Sequence, residues 1–523
     1  MKVHDFSVRP PVLALISGVL LTLSFPDVSW GFLAWIALIP LLGALHYAKS
    51  VFESMKLGFI TGFVFFAVSL HWLTQVTVFG WIFLILLETC SLVLFAVLVY
   101  QGRAISYSIL KLLWISSAWT LAELVRSEIP IFGFGWNLLA YSQADYLWVI
   151  QAANTIGAYG LGFVIVFVNA CGFEGGRKLA NQKVQGSFVL QKNYVPFGFL
   201  ILVLGLLAGH GFFYLHQNSN PRREVRISVI QGNIPQVIKW EPAAQDPIVE
   251  LYSQLTRLAV LEGPEIIFWP EAAFPGYFNR DLRREKILEM IRGTSIPLVL
   301  GSPHLEDNLR AYNSAYLIGA DGEMKNRYDK RYLVPFGEYI PLKPLFGWLS
   351  PIAESLGVSD FYEGDEATIF SVLNDDFKFS TLICFEDIFP SLSRSFTQAG
   401  AHLLGVLTND AWFGKTAAPY QHLQASIFRA VENGVPIVRA ANTGVSAFIS
   451  PKGEVLVRIE NQKGESIFIS GHKTMNIPFE DNPRKTLYQQ GGWIFPYVAL
   501  IGFVIMFFAM GPQTRDLKKS KRK

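Results

Sequence analysis

Three residues of types suited to acyl-transfer chemistry lie far apart along the chain. Cys384 stands in the run Leu-Ile-Cys-Phe-Glu-Asp, after a Trp-Pro-Glu that ends at Glu271 and a Tyr-Asp-Lys that ends at Lys330. A free thiol is only a few per cent thiolate at neutral pH, so it needs help to act as a nucleophile. A carboxylate can remove its proton, and a nearby ammonium stabilises both the thiolate and the tetrahedral oxyanion. We therefore predict Cys384 as nucleophile, Glu271 as general base and Lys330 as stabilising cation.

The sequence around these residues strengthens the prediction. Taken singly, a strand-end carboxylate, a surface lysine or a buried strand cysteine would be ordinary. However, Glu271 and Cys384 each follow an apolar strand pattern, where α/β folds commonly place reactive groups. Lys330 precedes an apolar, turn-rich run that ends in a second carboxylate, Glu338. We expect Glu338 and Glu386 to orient Lys330 and the incoming amine, the alternative being that both are plain surface carboxylates.

Composition indicates a membrane protein. Of the 523 residues, 51% are hydrophobic and only 16% are charged, whereas soluble domains contain about 25% charged residues. The net charge of +3 gives no reason to expect a nucleic-acid partner. Cys90 and Cys171 fall in apolar stretches, which argues against a disulfide scaffold. No metal-ligand spacing, Walker loop or dinucleotide fingerprint is present, so we expect neither a metal nor a cofactor.

Eight stretches approach the length of about 20 mainly apolar residues that a transmembrane helix needs. They are residues 11–25, 30–48, 57–78, 81–100, 109–124, 147–173, 194–215 and 493–510. The first is similar to a signal peptide, but no small-residue cleavage site follows it, so we expect it to be retained. One or two of the weaker stretches could instead be buried core helices or re-entrant segments.

Loop charges orient these spans. Basic residues concentrate after the second, fourth, sixth and eighth spans, and the other connections are almost free of them apart from Arg126. By the positive-inside rule both termini are cytoplasmic, and the stretch between spans seven and eight lies on the opposite side. In a bacterium this arrangement predicts an inner-membrane protein with its large domain in the periplasm. The predicted organisation is a seven-span region 1–216, a catalytic domain 222–484, an eighth span 490–511 and a basic cytoplasmic tail 512–523.

The large domain shows a different pattern, in which short β-rich runs alternate with amphipathic helical stretches. Strands are predicted over residues 225–231, 265–269, 297–302, 311–319, 377–385, 403–408, 437–441 and 445–450. Helices are predicted over residues 280–292, 390–399 and 420–433. This alternation is typical of an α/β layered domain.

The three motifs, in this order, resemble the Glu-Lys-Cys triad of the nitrilase superfamily. With the spans included, the whole chain resembles the apolipoprotein N-acyltransferases, a membrane-embedded family of that superfamily. Two further runs match the family, Thr-Asn-Asp-Ala-Trp-Phe at 408–413 and Arg-Ala-Ala-Asn-Thr-Gly at 439–444. The resemblance implies an eight-span α-helical transmembrane bundle, with an α/β nitrilase-like sandwich (αββα) inserted between spans seven and eight. One departure is Phe385, where many members carry tyrosine, and we expect this ring simply to pack.

The resemblance also implies a reaction. Cys384 attacks an ester of a phospholipid, and the resulting thioester passes its acyl chain to the α-amino group of a diacylglyceryl-modified N-terminal cysteine of an apolipoprotein. Trp240, Asn409 and Trp412 are the predicted substrate-binding residues. Trp240 and Trp412 could line a path for the acyl chain, since such rings suit a membrane interface, although ordinary packing is the alternative. We expect a monomer with no nucleic-acid partner.

Polar residues within the predicted spans need partners. A carboxylate such as Glu88 costs roughly 2.5–3.5 kcal/mol at the centre of a membrane helix. His71 and Arg126 are its candidate partners. Glu123 and Arg126 lie near the outer end of the fifth span and could serve bundle architecture or lipid handling.

Two other functions remain open from the sequence. A membrane-tethered amidase could use the same triad, although eight spans exceed what a tether needs. A transporter with an outer ligand-binding domain would instead use Glu88 and His71, and would not depend on Cys384.

Overall fold

The computed structural model describes residues 9–185, 195–217, 223–347, 360–480 and 485–520. The chain divides into two compact units. One unit is Met1–Gln217 together with Gln490–Lys523, and the other is Asn218–Gln489. The predicted domain limits at residues 222 and 484, and the last residues of the predicted tail, lie outside the described residues.

The first unit is helical. Six of its described helices are long and apolar enough to cross a membrane: Val51–Ser69, Val78–Ala104, Ser108–Glu128, Ala153–Leu179, Val195–His216 and Gly492–Ala509. Two shorter apolar segments, Pro10–Leu23 and Gly31–Tyr47, occupy the first two predicted spans. The described residues therefore contain six candidate membrane helices, and a total of eight spans stays a prediction.

Local backbone chemistry breaks two of the predicted spans. The second is a 3₁₀ helix, Gly31–Trp35, followed by an α-helix, Ile39–Tyr47, which has proline in its first turn. Proline suits a first helical turn because the N–H that it lacks would have no helical partner there. The sixth predicted span is not continuous, because a short helix, Leu147–Ile150, ends before the next helix and Gly157 adopts φ = 68° within that next helix, Ala153–Gln185.

Arg126 joins two helices and a loop of this unit. It lies 2.9 Å from the carboxylate of Glu88, so the predicted Glu88–Arg126 pair is confirmed. The same guanidinium donates hydrogen bonds to the backbone carbonyls of Phe134, Trp136 and Asn137. The alternative partner, His71, is wrong, since its exposed ring packs edge-on against Trp81 instead.

The second unit contains two six-stranded sheets. Its strands are β1 Arg223–Gln231, β2 Ile266–Phe268, β3 Leu298–Leu305, β4 Ala311–Ile318, β5 Met324–Asp329, β6 Phe370–Val372, β7 Phe377–Ile383, β8 Leu403–Thr408, β9 Ile437–Ala441, β10 Ala447–Ile449, β11 Val455–Arg458 and β12 Gly471–Phe479. The strand orders are β12-β1-β2-β3-β4-β5 and β11-β10-β9-β8-β7-β6. β1, β2 and β3 are parallel to one another, and so are β7, β8 and β9.

Alternate side chains of each strand pack on opposite faces. In β2, Ile267 joins a buried cluster with the helices Pro242–Val260 and Arg284–Thr294. Its neighbour Phe268 points the other way and meets Phe379 of β7, with ring centroids 5.5 Å apart. The helices Pro390–Gln398 and Ala418–Asn433 contact the strands β8 and β9 of the second sheet. The α/β layered prediction is therefore confirmed.

Several predicted boundaries are wrong for identifiable reasons. The strand predicted to end at Phe385 ends at Ile383, because Cys384 adopts φ = 51° and begins a 3₁₀ helix. The helix predicted from Arg280 begins at Arg284. The sequence pattern did not predict the helix Pro242–Val260, which has proline in its first turn and again at Pro247. It also missed the strands β5, β6, β11 and β12.

Candidate active site

The three predicted residues lie at or just beyond the carboxyl ends of strands of the two sheets. Glu271 lies in the turn after β2, Lys330 follows β5 and Cys384 follows β7. β2 and β7 belong to the parallel part of their sheets, where carboxyl ends of strands share one edge. Asn409, after β8, connects the two halves, since its backbone N–H donates to Glu271 Oε2 at 2.9 Å.

Lys330 is enclosed by two carboxylates. Its side chain is 1% exposed, and its Nζ lies 2.9 Å from Glu338 and 3.5 Å from Glu271 Oε1. Asn313 of β4 donates its side-chain amide to both carboxylates, at 2.8 Å and 2.7 Å. Burial alone would lower the pKa of the Lys330 ammonium, but Glu338 and Glu271 more than offset it and raise that pKa above its ordinary value. Lys330 is therefore a fixed cation.

The turn that carries Glu271 depends on a close backbone approach. Gly301 of β3 faces it, and a Cβ at that position would lie 2.5 Å from the Pro270 carbonyl oxygen and 2.6 Å from Glu271 Cα. The next residue, Ala272, adopts φ = 46°, an uncommon conformation for a residue with a Cβ. Only glycine at 301 lets the carboxylate sit where Lys330 and Asn313 reach it.

Cys384 combines a strained backbone with a partly buried thiol. Its φ of 51° lies in the left-handed region, and such strain clusters at functional sites. Burial and the nearby Glu271 carboxylate raise the pKa of the thiol well above its ordinary value, while Lys330 and a hydrogen bond with Thr408 lower it. The resting group is thus a thiol, and it needs a base at the moment of attack.

Glu386 holds the two segments that carry Cys384 and Lys330. Its carboxylate accepts hydrogen bonds from the backbone N–H of Ile383 at 2.7 Å and of Arg331 at 2.7 Å. The Tyr332 N–H and the Tyr328 hydroxyl donate to it as well. Burial raises its pKa to about 7. Glu386 therefore fixes the backbone beside Lys330, whereas Glu338 contacts the ammonium directly.

A buried charged network that the sequence did not reveal lies behind Cys384. His422, on the helix Ala418–Asn433, places its ring nitrogens 2.9 Å from Asp387 and 3.0 Å from Asp410. Arg439 of β9 lies 3.0 Å from the same Asp387 and 3.3 Å from the same Asp410. His422 Nε2 is also 3.3 Å from the Cys384 carbonyl oxygen. The sequence signals were the helical spacing of polar residues in 420–433 and the runs 408–413 and 439–444, which contain Asp410 and Arg439 but do not show that they meet.

The predicted substrate-binding residues occupy different settings. Trp240 and Trp412 are 45% and 38% exposed, so both rings are accessible to a ligand. Asn409 is buried, and its side chain bonds to Gln236 and Asn442. Contact of any of the three with substrate stays a prediction. Phe385 packs edge-on against Phe389, with ring centroids 5.1 Å apart.

Comparison with known proteins decides the family. Residues 17–171 match the family model of the apolipoprotein N-acyltransferase N-terminal domain, and residues 226–471 match that of the carbon-nitrogen hydrolases. An apolipoprotein N-acyltransferase of Geobacter metallireducens is 37% identical over 482 residues, which are 87% of this chain and 88% of the relative. The chain belongs to the apolipoprotein N-acyltransferase family.

Other members and structures are more distant. The apolipoprotein N-acyltransferase of Chlorobaculum tepidum is 29% identical over 84% of this chain and 86% of its own. Among solved structures, an amidase of the nitrilase superfamily from Nesterenkonia covers 52% of this chain and 96% of its own, at 20% identity and a TM-score of 0.38. The match to apolipoprotein N-acyltransferases thus extends over both units, as the sequence predicted.

Proposed function

We propose that this protein transfers a fatty acyl chain from a phospholipid, through a thioester on Cys384, to the α-amino group of the N-terminal diacylglyceryl-cysteine of apolipoproteins. The observation that carries the proposal is the 37% identity, over 87% of the chain, to a protein named for this activity. The cluster of Glu271, Lys330 and Glu338 beside Cys384 supports it with a chemistry.

In the first half-reaction, the thiol proton of Cys384 moves to Glu271 as the sulfur attacks an ester carbonyl carbon of the phospholipid. The carbonyl oxygen becomes an oxyanion, which the Lys330 ammonium stabilises. The ester C–O bond then breaks, and the departing lysophospholipid oxygen takes the proton from Glu271. A covalent acyl-enzyme divides one difficult transfer into two easier steps.

In the second half-reaction, the lipoprotein amine attacks the thioester carbon. Glu271 accepts the proton that the amine loses, the C–S bond breaks and an amide forms. The Cys384 sulfur then regains a proton from Glu271, which restores the resting thiol. The deep burial of Glu271 and Lys330 supports this cycle, because an enclosed site keeps water from hydrolysing the thioester.

We place this reaction at the outer face of a bacterial inner membrane. The six apolar helices support a membrane location, and the distribution of Lys and Arg among the loops supports cytoplasmic termini. In this topology the unit Asn218–Gln489 is periplasmic. We expect the protein to act as a monomer and without a cofactor.

Incubating the purified protein with labelled phospholipid and a diacylglyceryl peptide tests the proposed function. We expect N-acyl peptide to form at the rate at which lysophospholipid appears. Hydrolysis of small amides without N-acyl peptide would instead favour the amidase. A Cys384→Ala variant that keeps full activity would favour the transporter.

A further inference from the structure

A second buried ammonium, Lys239, lies beside the candidate triad. Its side chain is 1% exposed, and its Nζ donates a 3.3 Å hydrogen bond to the backbone carbonyl of Glu271. The negative charges of Glu271 and of an ionised Cys384 raise the pKa of Lys239 and so partly offset the effect of its burial. Unlike Lys330, it forms no ion pair with a carboxylate among the residues that the structure describes.

Lys239 is buried, whereas the apolar residues beside it in the sequence are exposed, which is the reverse of the usual pattern. Its apolar neighbours Val237, Ile238 and Trp240 are 85%, 39% and 45% exposed. Burying an ammonium without a full charge partner is unfavourable, and burial lowers the pKa of Lys239 to about 8. The group is therefore still mostly protonated at neutral pH. A buried cation kept at this cost, and bonded to the backbone of the candidate base, indicates a role in the chemistry.

The loop that carries Lys239 is fixed by side chains that also fix Glu271. Asn409 donates its backbone N–H to Glu271 and its side-chain amide to Gln236, at 2.9 Å and 2.8 Å. Asn442 in turn donates to the Asn409 side-chain oxygen at 2.9 Å. The position of the ammonium relative to Glu271 is thus set by a continuous hydrogen-bonded network.

Lys239 offsets the negative charge that Lys330 leaves at Glu271 and Glu338. Lys330 forms ion pairs with two carboxylates, Glu338 and Glu271. Its single positive charge therefore leaves one of their two negative charges unbalanced. Attack by Cys384 moves a proton from sulfur to Glu271 and creates negative charge first on sulfur and then on the carbonyl oxygen. In a buried site of low effective dielectric, an excess negative charge strongly opposes that change.

We propose that Lys239 is a second positioning cation of the active site. It holds the backbone of Glu271 and supplies the positive charge that balances the thiolate of Cys384 and the oxyanion that follows. Lys239 remains an ammonium throughout, because the thiol proton passes through Glu271 to the leaving oxygen. This inference rests on the proposed role of Cys384 as nucleophile.

Lys239→Gln separates the charge from the hydrogen bond, since a glutamine amide can still donate to the Glu271 carbonyl. Full-length protein in detergent is treated with iodoacetamide, a small neutral alkylating agent, and alkylation of Cys384 is followed by peptide mass spectrometry across a pH series. The other charged groups that face Cys384, which are Glu271, Lys330 and Asp410, stay unchanged. We expect the rate at neutral pH to fall at least about tenfold and the pH midpoint to rise, because thiolate is the reactive form.

Two matched variants complete the experiment. Lys239→Arg keeps the charge and should restore most of the rate. Lys286→Gln, which removes an exposed lysine that pairs with Asp246, should leave the rate unchanged. Lys239→Met is measured in parallel, so that misfolding of one variant leaves a second test.

Equal alkylation rates and pH profiles in the wild type and the uncharged variants would overturn the proposal. An equal loss in Lys239→Arg would do the same, because it would make packing rather than charge responsible. The assay contains no lipid or lipoprotein, so its outcome is independent of the acyl donor. A wild type that forms no acyl-enzyme with phospholipid would therefore overturn the proposed donor alone.

Discussion

The ammonium of Lys330 lies 2.9 Å from the carboxylate of Glu338, a residue eight positions further along the chain. The turn between them brings the Val334 N–H within 2.8 Å of the same carboxylate. Glu338 therefore holds both the Lys330 side chain and the loop that follows it. The carboxylate of the candidate base, Glu271, lies farther away from the ammonium, at 3.5 Å.

Glu338→Gln should lower the rate of acyl-enzyme formation by about 10- to 100-fold, or roughly 1.4–2.7 kcal/mol. Without the charge of Glu338, the Lys330 ammonium is drawn towards Glu271 and away from the reacting oxygen. Labelled-acyl transfer to the protein measures the effect. Glu323→Gln, which removes an exposed partner of Lys325, is the control, and equal rates in the two variants would show that Glu338 is dispensable.

Gly301→Ala should displace Glu271 and reduce turnover at least about tenfold while the protein stays folded. The added Cβ would meet the Pro270 carbonyl oxygen at 2.5 Å, so the turn must move. Gly293→Ala is a matched control, because it lies in the helix Arg284–Thr294 with no atom within 4 Å of the new Cβ. Wild-type kcat in Gly301→Ala would mean that the position of this turn is unimportant.

The network behind Cys384 predicts a loss of stability at high pH. Burial and Arg439 lower the pKa of His422, but Asp387 and Asp410 more than offset them and raise it from 6.5 to about 9. Because the folded pKa exceeds the unfolded one, the stabilisation is complete below about pH 6.5 and is lost as pH rises through about 9. A shift of this size corresponds to on the order of 3 kcal/mol.

Thermal unfolding of the wild type and His422→Gln at about pH 6 and about pH 9.5 measures this contribution. The Tm difference between the two proteins should be large at the lower pH and small at the higher one. Lys239 acts in the opposite direction, because its lowered pKa adds stability as pH rises above about 8. Because Lys239 is present in both proteins, its contribution to stability cancels when the Tm values of the wild type and His422→Gln are compared. A Tm difference that does not change with pH would rule out a charged His422.

Glu88→Gln should destabilise the helical unit by about 3 kcal/mol, because it removes the carboxylate nearest to the buried Arg126 guanidinium and leaves Glu123, at 3.9 Å, as its carboxylate partner. Thermal denaturation in detergent measures the loss. The double variant that combines Glu88→Gln with Arg126→Met should lose less stability than the sum of the losses in the two single variants. Additive effects would show that the pair is not coupled.

The sequence predicted the parts of the fold that depend on local pattern. Buried parallel strands such as Leu403–Thr408 and Ile437–Ala441 were predicted with their observed limits, since continuous apolar runs mark them. The strands at or near sheet edges were missed, because their exposed faces are polar. Met324–Asp329 has only Tyr328 buried, so its sequence shows no apolar period.

The candidate site was predictable only where residues stand in recognisable motifs. Glu271, Lys330 and Cys384 carry such motifs, and so does Glu338. Lys239 and His422 do not, because their roles arise from contacts with residues 32 and 38 positions away. Burial of a charged side chain is set by tertiary packing. The exposed apolar residues that flank Lys239 in the sequence therefore do not indicate that its side chain is buried.

Mass spectrometry of the intact protein purified with native lipid tests the central claim most directly. We predict a species heavier by one fatty acyl chain, which maps to Cys384, is released by hydroxylamine and disappears on addition of a diacylglyceryl peptide. Cys384→Ser should abolish it, whereas Cys90→Ser, which removes an exposed cysteine of the helical unit, should not. A hydroxylamine-labile acyl group that persists in Cys384→Ser would contradict the account.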